Sequence, residues 1–379
     1  MKNKNLFSQG KKRFFIFGHY GEKNTGDDTI LFVLLNELAK RYPKTKFAVL
    51  SNNPLNIHLN INNEVIEVHH HPLSVFNEIR KSSVFIMGGG TQIFDTGIMF
   101  TRLVILLKIF LILTWAKIVC REIWFVGIGI EKLSTFWGKI LGKLILKIPT
   151  FISVRDRYSY DLIIRMGYEN KLELSFDLAA LLFCNKKLED KKLDNNKKIL
   201  GISLLPFFEI YKRQNKNDDL LIKEIGKSLN QWLIQNRKNY VYIFEFKGGS
   251  RSDDVAISKQ LKEQLLDGRV KYIEYNKDPS NTLASINLCD YFIGMRYHSC
   301  IFAYLTNKPM LIINYFHKCE ALANDIGLNP VALLSPYDII NGDFNRNFND
   351  FLNNPKKYLP TLPIKQSIFL ANRGIPCRE

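Results

Sequence analysis

The sequence predicts an α/β protein with two Rossmann-like domains around a central cleft, and three observations carry that prediction. Short apolar runs alternate with helix-length stretches between residues 13 and 166. A polar, charged segment free of aromatics, NKKLEDKKLDNNKK, interrupts the alternation at 185–198. Beyond it the alternation resumes. Such a pattern calls for parallel strands covered by helices on both faces. The expected layout is a first domain over 1–184, a linker over 185–198, a second domain over 199–340, and a tail over 341–379 that carries one helix.

The elements follow in order. FFIF makes the first strand, over 13–17, too short an apolar run for a helix. The glycine-rich loop GHYGEKNTGDD leads into a helix over 28–41, with Thr25 or Asp27 able to cap it. Apolar runs at 46–50 and 64–68 are strands, 72–81 is a helix, and 83–87 is the next strand. The stretch from about 98 to 118 is helical, 122–127 a strand, 135–148 a basic amphipathic helix, 150–154 a strand and 157–166 a helix. After the linker, strands are expected at 198–204, 240–246, 270–275, 290–295 and 309–313. Helices are expected between them at 217–236, 253–266, 280–288 and 299–306. The Asn- and Pro-rich tail ends in a helix over 364–372.

Length and composition fit this plan. The 379 residues suffice for two cores of ordinary size. With 46% hydrophobic and 23% charged residues, the chain is globular and not disordered. The 53 Lys and Arg against 36 Asp and Glu give a formal charge of +17, which favours anionic company. Nucleic acid is not the expected partner, because neither aromatic-interleaved basic patches nor a helix-in-groove motif is present. The six cysteines form no CxxC pair, which points to free thiols in a reducing, cytoplasmic setting. The HHH run at 69–71 lies in a loop before Pro72, and no metal is expected. The basic N-terminal segment leads into only a four-residue apolar strand, so no secretory signal is expected.

Residues 103–120, LVILLKIFLILTWAKIVC, are apolar almost throughout, and Lys108 and Lys117 fall on opposite sides of the helix. Such a helix is expected to be covered nearly all round, by protein or by lipid. In the next helix Lys139, Lys143 and Lys147 form a stripe opposite Trp137, Leu141, Leu144, Ile145 and Ile148. Peripheral contact with the inner face of a membrane is therefore an expectation beside the simpler one of a solvated face.

Every loop that could carry chemistry follows a predicted strand. In the opening loop, glycines and Asn24 permit unusual backbone geometry, and Asp27 can cap the helix. IMGGGTQIFD brings Gly88, Gly89 and Gly90 to a strand mouth, where exposed N–H groups suit an anion. FISVRDRYS puts Arg155 directly after a strand, either as an internal ion pair or as a bidentate grip on a carboxylate or phosphate. Asp177 ends the LSFD strand. FKGGSRSDD offers Gly248 and Arg251 ahead of Asp253 and Asp254; capping explains one aspartate but not the arginine. The strand YFIGM delivers Arg296 and His298, with Ser299 able to cap the next helix, and the strand MLIIN delivers His317 and Lys318. So many cations at neighbouring strand ends suggest a site that handles an anion.

In order, GHYGEKNTGDDTIL, VFIMGGGTQIFD, FVGIGIEKL, FISVRDRYSYDLIIRMG, LELSFDLAALL and IGMRYHSCIFAYLTNKPMLIINYFHKCEALANDIGL resemble the blocks of the polysaccharide pyruvyl transferase family. The likeness covers roughly residues 13 to 330. It implies a fold similar to glycosyltransferase B enzymes, with an interdomain active site. It also implies transfer of a pyruvyl group from phosphoenolpyruvate to two hydroxyls of a nucleotide- or lipid-linked sugar, with no metal or nucleotide cofactor in the chemistry. On that resemblance Arg296 and Lys318 hold the donor phosphate, Arg155 its carboxylate, and His298 serves as general acid or stabilises charge on the departing phosphate. Asn24 and Asp27 face the acceptor, and Asp27 or Asp177 orients or deprotonates its hydroxyls. Two other classes compete: a sugar-nucleotide glycosyltransferase of similar fold, and a non-catalytic binding component of polysaccharide assembly.

Overall fold

Two all-parallel sheets, each flanked by helices, organise the chain in the computed structural model, which describes residues 13–55, 61–95, 99–120, 122–168, 172–185, 197–212, 214–249, 253–265 and 268–377. Two compact units divide it. The first comprises Met1–Gly21, Ile30–Leu178 and Ala371–Glu379, and the second Glu22–Thr29 and Ala179–Leu370.

The first unit is built from β1 (Arg13–Tyr20), most of α1 (Thr25–Arg41), β2 (Lys46–Ser51), β3 (Val65–Val68), α2 (Pro72–Arg80), β4 (Val84–Ile93) and α3 (Met99–Val119). It continues through β5 (Glu122–Ile130), α4 (Phe136–Leu146), β6 (Phe151–Val154), α5 (Arg157–Arg165) and β7 (Leu172–Leu174). The sheet order is β3-β2-β1-β4-β5-β6-β7. Its strands read as continuous apolar runs because both faces are covered; Phe14, Phe15, Ile16, Phe85, Ile86 and Phe125 are wholly buried. The last residues of the chain belong here. The Arg41 guanidinium donates to Asn372 Oδ1 at 2.6 Å, and Ser153 Oγ donates to the Gly374 carbonyl at 2.6 Å.

The second unit runs α6 (Leu182–Asn185), β8 (Lys198–Ser203), α7 (Asn215–Gln235), β9 (Asn239–Phe244), α8 (Val255–Gln264), β10 (Val270–Ile273) and α9 (Pro279–Asn287). Then come β11 (Tyr291–Gly294), α10 (Tyr297–Leu305), β12 (Met310–Ile313), α11 (His317–Asp325), β13 (Leu333–Leu334), α12 (Pro336–Ile340), α13 (Phe344–Asn353) and most of α14 (Ile364–Arg373). The sheet order is β10-β9-β8-β11-β12-β13. Strand order reverses between β8 and β11, and in open parallel sheets the crevice outside that reversal is where ligands bind. The expected linker lies largely outside the described residues, at 186–196.

Helix α1 begins in the second unit. Thr25 N–H donates to the Phe246 carbonyl at 2.9 Å, and Asn24 forms an antiparallel bridge with Lys247. Strand–helix alternation alone does not reveal this division. Among the described residues no helix is long and apolar enough to cross a membrane.

Candidate active site

The chemistry-bearing groups of the second unit collect at the carboxyl ends of β9, β11 and β12. Strand β11 ends at Gly294, and Arg296 is the extended residue that precedes α10. Its Nε donates to Asp254 Oδ1 at 2.8 Å, and Nη2 donates to the same oxygen. Asp254 is wholly buried; its Oδ2 accepts the N–H groups of Phe246 at 3.1 Å and Lys247 at 3.0 Å. Burial pushes the Asp254 carboxyl up while Arg296 pulls it back. For Arg296 burial acts downward, yet the charge of Asp254 outweighs it and holds the guanidinium above its usual range. The arginine side chain is anchored on Asp254 and keeps 17% of its surface exposed.

Lys247 shares this neighbourhood. Burial lowers its ammonium, the charge of Arg296 lowers it further, and Asp27 and Glu22 oppose the shift. Two cations held within each other's field are costly unless something anionic offsets them. Lys318 contributes a third, its Nζ 5.3 Å from the centre of the Tyr315 ring. Tyr315 also lies near enough to Arg296 to favour the charged guanidinium, so both cations share its neighbourhood.

His298, in the first turn of α10, lies edge-on to Tyr297 with ring centres 5.2 Å apart. The imidazole packs on Gly26, where any side chain would overlap it. Asn24 caps α1: its Oδ1 accepts Gly26 N–H at 3.2 Å and its Nδ2 donates to Asp27 Oδ2 at 2.6 Å. The cap is thus Asn24, not Thr25 or Asp27, and the expected acceptor-facing pair is hydrogen-bonded to itself.

Asp28, one position on, went unnoticed in the sequence. It is buried and accepts the Tyr275 hydroxyl at 2.7 Å. Burial raises its carboxyl to about 7, Tyr275 opposes that rise, and Asp27 adds to it. The DD pair was visible, but only packing distinguishes its members. Asp254 and Lys247 were likewise missed as site residues, because Asp254 meets Arg296 across a long sequence separation.

Other expectations are corrected. Ser299 does not cap α10; its hydroxyl donates to the Arg296 carbonyl at 2.7 Å. His317 opens α11 with 71% of its side chain exposed and Nδ1 4.0 Å from Glu320, so it is not gathered into the buried cluster. Gly248 has packing reasons of its own, since a side chain there would strike Glu245 and Tyr275; its N–H donates to the Lys23 carbonyl at 3.0 Å. Arg251 lies outside the described residues.

In the first unit, Arg155 and Asp177 are brought together, but with each other. Arg155 Nη1 donates to Asp177 Oδ2 at 3.2 Å and Nη2 to Thr91 Oγ1 at 3.1 Å, while Nε lies 3.6 Å from Asp156. The side chains are 3% and 1% exposed. Asp156 caps α5, accepting Ser159 N–H at 2.6 Å. Gly88, Gly89 and Gly90 lie inside β4 and not at its mouth. Side chains at the first two would meet Tyr20 and Ile30, and Gly90 adopts a left-handed φ of 84°. Packing and backbone geometry account for all three.

Comparison with known proteins agrees with this architecture. Over 96% of the chain and 95% of theirs, a putative UDP-N-acetylglucosamine 2-epimerase from Listeria monocytogenes superposes with a TM-score of 0.61 at 12% identity. The UDP-GlcNAc 2-epimerase of Neisseria meningitidis gives 0.58 at 13% identity, over 96% of this chain and 97% of that one. A glycosyltransferase from Rickettsia africae gives 0.53 at 10% identity, over 97% and 93%. At these identities the likeness establishes the fold alone, an α/β architecture of the glycosyltransferase B type. No individual curated protein matches the sequence. A family model, polysaccharide pyruvyl transferase, matches residues 24–317, from the Asn24 cap to the start of α11. That match spans most of the chain and all the second-unit groups assembled here up to His317, and the chain belongs to the polysaccharide pyruvyl transferase family.

Proposed function

We propose that the protein transfers the pyruvyl group of phosphoenolpyruvate to two hydroxyls of one sugar, closing a cyclic ketal during assembly of a cell-surface or extracellular polysaccharide. The observation that carries this reading is Arg296, anchored by buried Asp254 at the strand-order reversal with Lys247 in its field. Phosphoenolpyruvate carries a carboxylate and a phosphate, the double anion such a cluster suits.

Arg296 and Lys318 hold the phosphate. Lys247, and not the internally paired Arg155, takes the carboxylate. The enol π electrons accept a proton at the methylene carbon, with His298 as the donor acid, leaving an oxocarbenium-like centre at C2. The first sugar oxygen bonds to C2 and gives up its proton. The second displaces phosphate, which leaves with the C–O electron pair, and its own proton is released. The products are the ketal and inorganic phosphate. Asp28, whose carboxyl titrates near 7, is suited to accept a hydroxyl proton. The chemical step needs no metal or nucleotide cofactor, and the acceptor is nucleotide- or lipid-linked.

Incubation with phosphoenolpyruvate and candidate acceptors tests the reading, with phosphate release and acceptor mass followed together. Phosphate release matched by a base-stable pyruvyl adduct is the expected result. Consumption of a nucleotide sugar, with phosphoenolpyruvate untouched, would instead identify a glycosyltransferase.

A further inference from the structure

One face of the first unit has a composition the proposed reaction does not use. The crossovers β3-α2-β4, β4-α3-β5 and β5-α4-β6 all advance in one direction across the sheet. Right-handed connections therefore place α2, α3 and α4 side by side on one face. Phe76 of α2 lies edge-on to Trp115 of α3 with ring centres 5.8 Å apart, and α3 packs against α4.

The inner side of α3 is core: Leu106, Ile109, Leu113 and Ala116 are buried. Its outer side carries exposed Leu107, Leu111 and Ile118, with Thr114 the polar residue among them. At 100° per residue these three share a narrow arc, with Lys108 on one flank and Lys117 on the other. Helix α4 begins with Phe136 and Trp137, 70% and 63% exposed and edge-on to each other at 5.4 Å. Lys139, Lys143 and Lys147 are exposed along its length and just past its end. Neither α3 nor α4 contains a single Asp or Glu.

We propose that the α3–α4 face binds peripherally to an anionic lipid bilayer. Phe136, Trp137, Leu111 and Ile118 enter the boundary between headgroups and acyl chains. Lys139, Lys143 and Lys147 pair with lipid phosphates. Large exposed apolar groups framed by lysines and free of acids are the composition of helices that lie in a membrane interface. A second copy of the chain fits less well, because a two-fold contact would set this positive face against itself. The mode is lying on the surface, not crossing it, in keeping with the lysines on both flanks of α3. The proposal stands apart from the reaction.

Co-sedimentation of the full-length protein with phosphatidylcholine vesicles, with and without phosphatidylglycerol, tests it. Binding is expected on the phosphatidylglycerol vesicles only, weakening as salt rises. Each Lys→Gln change at 139, 143 or 147 is expected to weaken it roughly fivefold. Trp137→Ser and Ile118→Asp are expected to weaken it as well; both positions are exposed, so circular dichroism should be unchanged. Equal sedimentation with both vesicle types overturns the proposal, as does binding that the lysine and Trp137 variants leave intact. A dimer in light scattering that Ile118→Asp dissociates, without vesicle binding by the parent protein, also overturns it and assigns the face to self-association.

Discussion

The His298 imidazole rests on the backbone of Gly26, filling the space a side chain there would need. One glycine in the first turn of α1 therefore sets where the ring of α10 can lie. Gly26→Ala should displace the imidazole without harming the helix, since alanine favours helical backbone over glycine by about 1 kcal/mol. We expect kcat to fall about a hundredfold, as misplacement of a catalytic group by an ångström commonly does. Circular dichroism and the thermal midpoint should stay near those of the parent. Full turnover in this variant would separate His298 from the chemistry.

The Arg296–Asp254 pair makes a second test, in which folding and binding are read separately. Asp254→Ala leaves a largely buried guanidinium without its carboxylate, and should cost about 3–5 kcal/mol in denaturant unfolding. Arg296→Lys keeps the charge but cannot reproduce both the Nε and Nη2 contacts to one oxygen. In that variant we expect KM for phosphoenolpyruvate to rise at least tenfold while KM for the acceptor holds. An unchanged donor KM would remove Arg296 from the phosphate site.

What the sequence disclosed follows from what is local. Strands buried on both faces show as apolar runs, so β1, β2, β4, β5, β8 and β11 were legible; the strand expected to end at Asp177 is β7, which stops at Leu174, and β13, of two residues, gave no signal. Helix α13 buries Phe344, Phe348 and Phe351 at helical spacing, a signal hidden by the Asn-rich residues around it. Arg296 and His298 stood out because two residues and one strand end define them. Asp254 did not, since its partner is distant in sequence. The three consecutive glycines suggested an anion loop, yet β4 continues through them, because Tyr20 and Ile30 press on the strand. Adjacent residues also diverged: at the start of α11, His317 turns to solvent while Lys318 turns back over Tyr315.

Arg155 allows its two sequence-level readings to be separated. Its guanidinium ties the end of β6 to Thr91 of β4 and to Asp177, all within the first unit. Arg155→Ala should therefore strand the buried Asp177 charge and cost about 3–5 kcal/mol. Arg155→Met combined with Asp177→Leu should recover much of that loss, because an apolar pair carries no desolvation penalty. Denaturant midpoints check both. A raised KM for phosphoenolpyruvate with unchanged stability would return Arg155 to the donor site.

Asp28 predicts how stability depends on pH. Its carboxyl titrates near 7 in the folded chain against 3.8 for an ordinary aspartate, because burial disfavours the charge. A raised carboxyl pKa means the folded state binds the extra proton between those two values. Its contribution is thus most favourable below about pH 4 and is lost as pH climbs through 7. Asp28→Asn removes the titration while keeping an oxygen to accept the Tyr275 hydroxyl. The stability of the Asn variant relative to the parent should therefore improve between pH 5 and pH 8, by roughly 2–3 kcal/mol. Denaturant unfolding at the two pH values measures it. If Asp28 also takes the acceptor proton, the same variant should lose turnover at pH 8, where it is the more stable protein. A stability difference independent of pH would mean that Asp28 stays charged throughout and that Tyr275 and solvent offset its burial.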